Sequence, residues 1–105
     1  MSRPFRLATG VRTEIREAAD WYRERDRHVA NRFIVSVDRA IRRAVEWPNA
    51  GSPVEGTRST VTIRRVPVGR FPYQVVYAIV DDVIYIVAVA HHHRRPGYWG
   101  GRLPT

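Results

Sequence analysis

Late in the chain, the run His91-His92-His93-Arg94-Arg95-Pro96-Gly97-Tyr98-Trp99 gathers imidazole, guanidinium and aromatic rings within a few residues. Imidazole titrates near neutrality, so a histidine here is a candidate proton donor or acceptor beside a scissile phosphodiester. Guanidinium groups fork onto phosphate oxygens and neutralise charge that builds on phosphorus, while tyrosine or tryptophan stacks on a splayed base. The preceding stretch, Val83 to Ala90, is apolar. The run therefore leaves a buried strand and is delivered to one rim of a sheet. In strand geometry His91 and His93 point to one side and His92 to the other. Two imidazoles on one side begin a zinc site, but no third ligand stands at suitable spacing, so no metal or cofactor is expected. The plainer alternative is structural: one histidine caps the core, and Tyr98 and Trp99 fold back to close its edge.

Further cations lie just upstream, at Arg64, Arg65 and Arg70. Alternation places Arg64 on an exposed face with Thr60 and Thr62 and turns Arg65 toward the helices. Together with Arg95 these residues either line a basic groove or form a solvated face. The candidate binding residues are Arg64, Arg65, Arg70, Arg94 and Trp99. Glu46 and Glu55 are the carboxylates nearest the helix-to-sheet loop and the candidate general bases there. The chain contains no cysteine, glycine-rich phosphate loop or nucleophilic-serine elbow. RNA cleavage at such a site would be metal-free, with the ribose 2′-hydroxyl as nucleophile.

Charge points to the same class of partner. The chain has 105 residues, a net charge of +8 and 18 basic residues, all arginine. Arginine-rich codon usage accounts for the missing lysine in one reading; arginine's forked binding and stacking are the other. Residues 1–57 hold 11 arginines against 8 acids, whereas residues 58–105 hold 7 against 2. The second half is thus a basic face with little to neutralise it, suited to nucleic acid, the ribosome or an acidic protein segment. With 44% apolar and 27% charged residues, the composition is that of one globular domain spanning 1–105. Neither a signal peptide nor a membrane span is visible, and the cytoplasm is the expected compartment.

These groups need elements to position them. Phe5 to Ala8 reads as a short strand. Thr9 then caps a helix whose apolar positions Val11, Ile15, Ala18, Ala19 and Tyr22 form one stripe. A second helix runs from about Val29 to Glu46, with Ala30, Phe33, Val37, Ile41 and Ala44 inward, and stops at Trp47-Pro48. Asn49 to Gly56 is a loop. Three strands follow, Ser59 to Val66, Tyr73 to Val80 and Val83 to Ala90, the last two joined by a tight turn at Asp81-Asp82. The predicted fold is α+β: a helical hairpin on one face of a largely antiparallel sheet, in the order β-α-α-β-β-β.

In this order the segments resemble toxins of the RelE/ParE superfamily from bacterial type II toxin–antitoxin systems. The resemblance rests on Glu17-Ala18-Ala19-Asp20-Trp21-Tyr22, on Trp47-Pro48 followed by Gly51, on Arg70-Phe71-Pro72-Tyr73 through Tyr77, and on His91 through Arg95 with Pro96, Tyr98 and Trp99. It implies a toxin that arrests growth when released from a cognate antitoxin, which folds on binding and forms a hetero-oligomer with it. It further implies a ParE-like inhibitor of DNA gyrase, or alternatively a RelE-like ribosome-dependent mRNA endoribonuclease. A non-toxic nucleic-acid-binding or corepressor module is a lesser alternative. In the ribonuclease case Arg64 or Arg65, Arg94 or Arg95, and Tyr98 match the basic and tyrosine positions, so Arg95, Tyr98 and His93 become the catalytic candidates. Gln74 stands where those ribonucleases carry arginine, a departure that favours the gyrase reading.

Overall fold

The computed structural model describes residues 4–54 and 61–104. Its elements are β1 (Phe5–Leu7), α1 (Val11–Arg23), α2 (Arg27–Glu46), β2 (Ser52–Pro53), β3 (Thr62–Pro67), β4 (Tyr73–Val80) and β5 (Val83–His91). Short 3-10 turns lie at Pro48–Ala50 and Gly100–Arg102. The expected α+β order is present, with the two-residue β2 added inside what reads as loop in sequence. Glu55, Ser59 and Thr60, named above as a candidate base and as strand residues, lie outside the described residues.

Each helix begins where local chemistry permits. The N-cap of α1 is Gly10, not Thr9, because the chain turns from β1 into the helix within three residues. That turn needs the left-handed backbone at Gly10 (φ 95°). Asp26 caps α2 by accepting a hydrogen bond from the His28 N–H at 2.8 Å, so the helix starts two residues before Val29. The expected inner stripes are present: Val11, Ala18 and Ala19 of α1 and Ala30, Phe33, Val37, Ala40 and Ala44 of α2 are buried. Phe33 anchors the hairpin to the sheet, its ring 5.1–5.3 Å from those of Tyr22, Phe71 and Tyr73.

Strand order in the sheet is β1-β5-β4-β3-β2. The β1–β5 pairing is parallel and the other three are antiparallel. Asp81 and Asp82 both adopt positive φ (48° and 66°), the conformation of a two-residue hairpin turn that matches strand twist. Both β4 and β5 are interior and apolar on both faces, and two cores result. Val75, Tyr77, Ile84, Ile86 and Val89 pack under the helices. Ile63, Val76, Ala78, Val87, Ala88 and Ala90 pack on the opposite face, where Trp99 covers them. A bulge makes this possible: Tyr77 pairs with Ile86 and Val76 with Ala88, leaving Val87 as the extra residue. Beyond it, the residues of β5 that face the helices shift by one.

Gly51 and Tyr77 explain why the turn after α2 takes its form. The buried Tyr77 hydroxyl donates to the Pro48 carbonyl at 2.6 Å. A Cβ on Gly51 would lie 2.3 Å from that hydroxyl oxygen, so only glycine fits.

Candidate functional site

The β5 strand ends at His91, and residues 92–102 then turn repeatedly across the end of the sheet. The Arg94 N–H donates to the His91 carbonyl (3.0 Å), Tyr98 to Arg95 (3.2 Å) and Gly100 to Gly97 (2.9 Å). Gly97 takes positive φ (76°). This path encloses a groove of about 510 Å³ whose lining includes Arg65, Gln74, His92, Arg94 and Arg95. The Arg65 guanidinium donates to the Gln74 side-chain oxygen at 3.3 Å.

The two arginines of β3 point opposite to the alternation argued from sequence. Arg64 shares its face with Val66, which packs under the helices, and it donates to the Gly51 carbonyl at 2.8 Å. Its Nε is buried without a partner among the described residues. Arg65 shares its face with Ile63 and opens into the groove. The reversal follows from the second core: Ile63, on the same face of β3 as Arg65, is buried away from the helices in the core that Trp99 covers. Arg70 lies exposed in the connection between β3 and β4, outside the groove lining, and His93 is also outside it.

Tyr98 is engaged. Its hydroxyl donates to the Glu14 carboxylate, while the Arg94 guanidinium stacks 4.0 Å over its ring. Burial raises the Tyr98 pKa far above the ordinary phenol value, and the hydrogen bond to Glu14 and its negative charge add to this. Trp99 is 4% exposed and belongs to the second core, so its ring faces protein and not solvent.

Glu14, in the first turn of α1 and not among the candidates drawn from sequence, is the centre of this region. Besides Tyr98, it accepts from Arg102 (2.9 Å) and from the Val89 N–H (3.1 Å). Arg102 also donates to the Val87 carbonyl (3.3 Å). The ladder from β1 ends where the Ala8 N–H meets the Ile86 carbonyl, and two side chains then satisfy the next backbone groups of β5. A signal existed: Glu14 sits between Val11 and Ala18 on the buried face of its helix, three and four residues away.

His91 is held by its neighbours. Its Nδ1 accepts from the His93 N–H at 3.0 Å, and its ring meets those of Tyr73 and His93 edge-on. Burial lowers its pKa, and the nearby His93 and His92 lower it further. Among the described residues, no three acidic or histidine side chains are grouped so as to hold a metal.

The family model for the ParE toxin of type II toxin–antitoxin systems (parDE) matches residues 5–96, nearly the whole fold from β1 to the turn after β5. The chain belongs to the ParE toxin family. No individual curated protein matches it. The ParE match spans Trp47-Pro48, Gly51, Tyr73–Tyr77 and the histidine run, whose packing is described above. It stops just before Tyr98 and Trp99, so the Glu14 contacts to Tyr98 and Arg102 lie partly beyond the matched segment. As a type II toxin–antitoxin toxin, this ParE-family protein has an antitoxin as its partner. Among the described residues of the toxin, no helix is long and apolar enough to cross a membrane.

Proposed function

We propose that this toxin arrests growth by inhibiting DNA gyrase, acting as a binding protein and not as a hydrolase. One observation carries the reading: the Tyr98 hydroxyl is committed to Glu14. A phenol held as a donor to a carboxylate, with its pKa raised, is a poor proton carrier for phosphodiester cleavage. The division of Arg64 and Arg65 between the two faces of the sheet supports the same view, as does Gln74 in place of a cation. Family membership adds to it.

In this reading the groove bearing Arg65, Arg94 and Arg95 meets the target, and the antitoxin, folding as it binds, neutralises the toxin in a hetero-oligomer. Either candidate target puts the site of action in the cytoplasm. Ribosome-dependent mRNA cleavage is the second reading, favoured by the gathering of Arg65, His92, Arg94 and Arg95 around one groove. In that reading the catalytic candidates are Arg95 and Tyr98, which line the groove, and His93, which stands outside its lining.

One pair of assays separates the two. The chain is expressed alone from a tight promoter, new RNA 5′ ends are mapped within minutes, and purified toxin is added to gyrase in a supercoiling assay. Loss of supercoiling with intact RNA is the expected result. New ends at a fixed place within translated codons, with gyrase unaffected, would replace it with the ribonuclease reading.

A further inference from the structure

The groove at the end of the sheet is unbalanced in charge. Among the described residues its lining carries the guanidiniums of Arg65, Arg94 and Arg95 and no carboxylate. None of these arginines forms an ion pair with a described acid. Arg65 makes one long bond, to the neutral amide of Gln74 at 3.3 Å. Arg94 lays its flat face on the Tyr98 ring, which leaves the N–H groups along its edge able to donate. Like charges lining a concave site raise its potential, and an anion lowers it.

The sheet side of the groove narrows the class of anion. Val54, Val76 and Ala90 line it, and β4 and β5 are interior strands, paired on both edges. Their methyl groups offer a surface to a flat apolar body but no backbone donors to a peptide, whose amides would be buried there unpaired. A nucleobase needs no hydrogen-bond partner on its faces. A ribose 2′-hydroxyl against the same methyl groups would lack a partner, which favours DNA over RNA. Concavity excludes a duplex: its phosphates stand on a convex cylinder, whereas these guanidiniums line the inside of a groove of about 510 Å³, the size of a small-ligand site.

We propose that this groove binds a single DNA strand, its phosphates taken by Arg65, Arg94 and Arg95 and a base lying against Val54, Val76 and Ala90. Arginine suits this task because its planar fork matches phosphate oxygens. Resting on the reading in which the groove meets gyrase, the proposal assigns the contact there to the DNA that gyrase holds and not to the enzyme's polypeptide.

The test uses the full chain and a fluorescein-labelled oligothymidylate, followed by anisotropy over a range of salt concentrations. Saturable binding that weakens with salt is expected. Arg65→Gln and Arg95→Gln should each weaken it roughly threefold to tenfold and lower the slope of log K against log salt by about 0.7. Arg39→Gln, which removes the same charge from the exposed face of α2, should change it by less than about twofold. Unlabelled oligothymidylate should compete better than oligouridylate or oligoglutamate of equal length. Absence of saturable binding would overturn the proposal. So would an Arg39→Gln loss equal to that of the groove variants, or equal competition by oligouridylate or oligoglutamate. Gyrase supercoiling is assayed with the same preparations. Inhibition without strand binding removes the proposal and leaves the gyrase reading; strand binding in the groove with gyrase unaffected supports the ligand and removes that reading.

Discussion

Glu14 and Tyr98 stand 84 positions apart in the chain, yet the phenol hydroxyl of one donates directly to the carboxylate of the other. The contact ties the first helix to the C-terminal segment at the point where β1 ceases to pair with β5. The carboxylate also holds Arg102 and the Val89 N–H. Removing it leaves the Val89 N–H without its acceptor and the partly buried Arg102 guanidinium, still held by the Val87 carbonyl, without its counter-charge. Glu14→Ala should therefore destabilise the fold by about 2–3 kcal/mol, and Tyr98→Phe, which leaves Glu14 two of its three donors, by about 1 kcal/mol. Urea denaturation of the two variants checks this order. Equal losses would show that the phenol, and not the carboxylate, organises the contact.

Gly51 and Tyr77 should behave as a coupled pair. A Cβ at position 51 lies 2.3 Å from the Tyr77 hydroxyl and 2.9 Å from the Arg65 carbonyl. Gly51→Ala should cost about 2 kcal/mol or more through overpacking. In a Tyr77→Phe background the hydroxyl clash is gone, so the same substitution should cost less. A double-mutant cycle measures the difference, and strict additivity would contradict the close approach.

Trp99 should be a protected fluorophore. It is 4% exposed, against 52% for Trp21 and 65% for Trp47. Iodide should therefore quench two of the three tryptophans and spare one, and the spared component should vanish in Trp99→Phe. Trp99→Ala should destabilise by about 3–5 kcal/mol, the range for emptying a buried aromatic site. A fully quenchable wild-type spectrum would place Trp99 in solvent.

His91 should make stability depend on pH in the mildly acidic range. Burial lowers its pKa in the folded state below the ordinary value of 6.5. The unfolded chain then binds the proton more readily than the folded one. The stabilising contribution is present above about pH 6.5 and is lost as pH falls through the lower folded value. Protonation of Nδ1 also removes the acceptor of the His93 N–H. Thermal melts from pH 7.5 to 5 should show a smaller decline in His91→Gln than in the wild type, and parallel declines would exclude this histidine as the cause.

Much of this protein is determined by its sequence alone, because helical stripes, capping acids and turn residues act over a few positions. Val11, Ile15, Ala18 and Tyr22 mark α1 at its own period, Asp81-Asp82 marks the hairpin, and the doubly apolar Val83–Ala90 marks an interior strand. The same local segments, in order, carry the family resemblance.

Tertiary structure decided what depends on partners distant in the chain. The bulge at Val87 exists only in the pairing of β5 with β4, and it resets which residues of β5 face the helices. A second core beneath Trp99 takes Ile63 and so turns Arg65 into the groove and Arg64 toward Gly51. Alternation in one strand states that two faces differ, but which face is the core depends on what packs against each. The role of Glu14 was hidden for the same reason: a carboxylate's donors are chosen by the fold, and these come from β5 and the C-terminal segment.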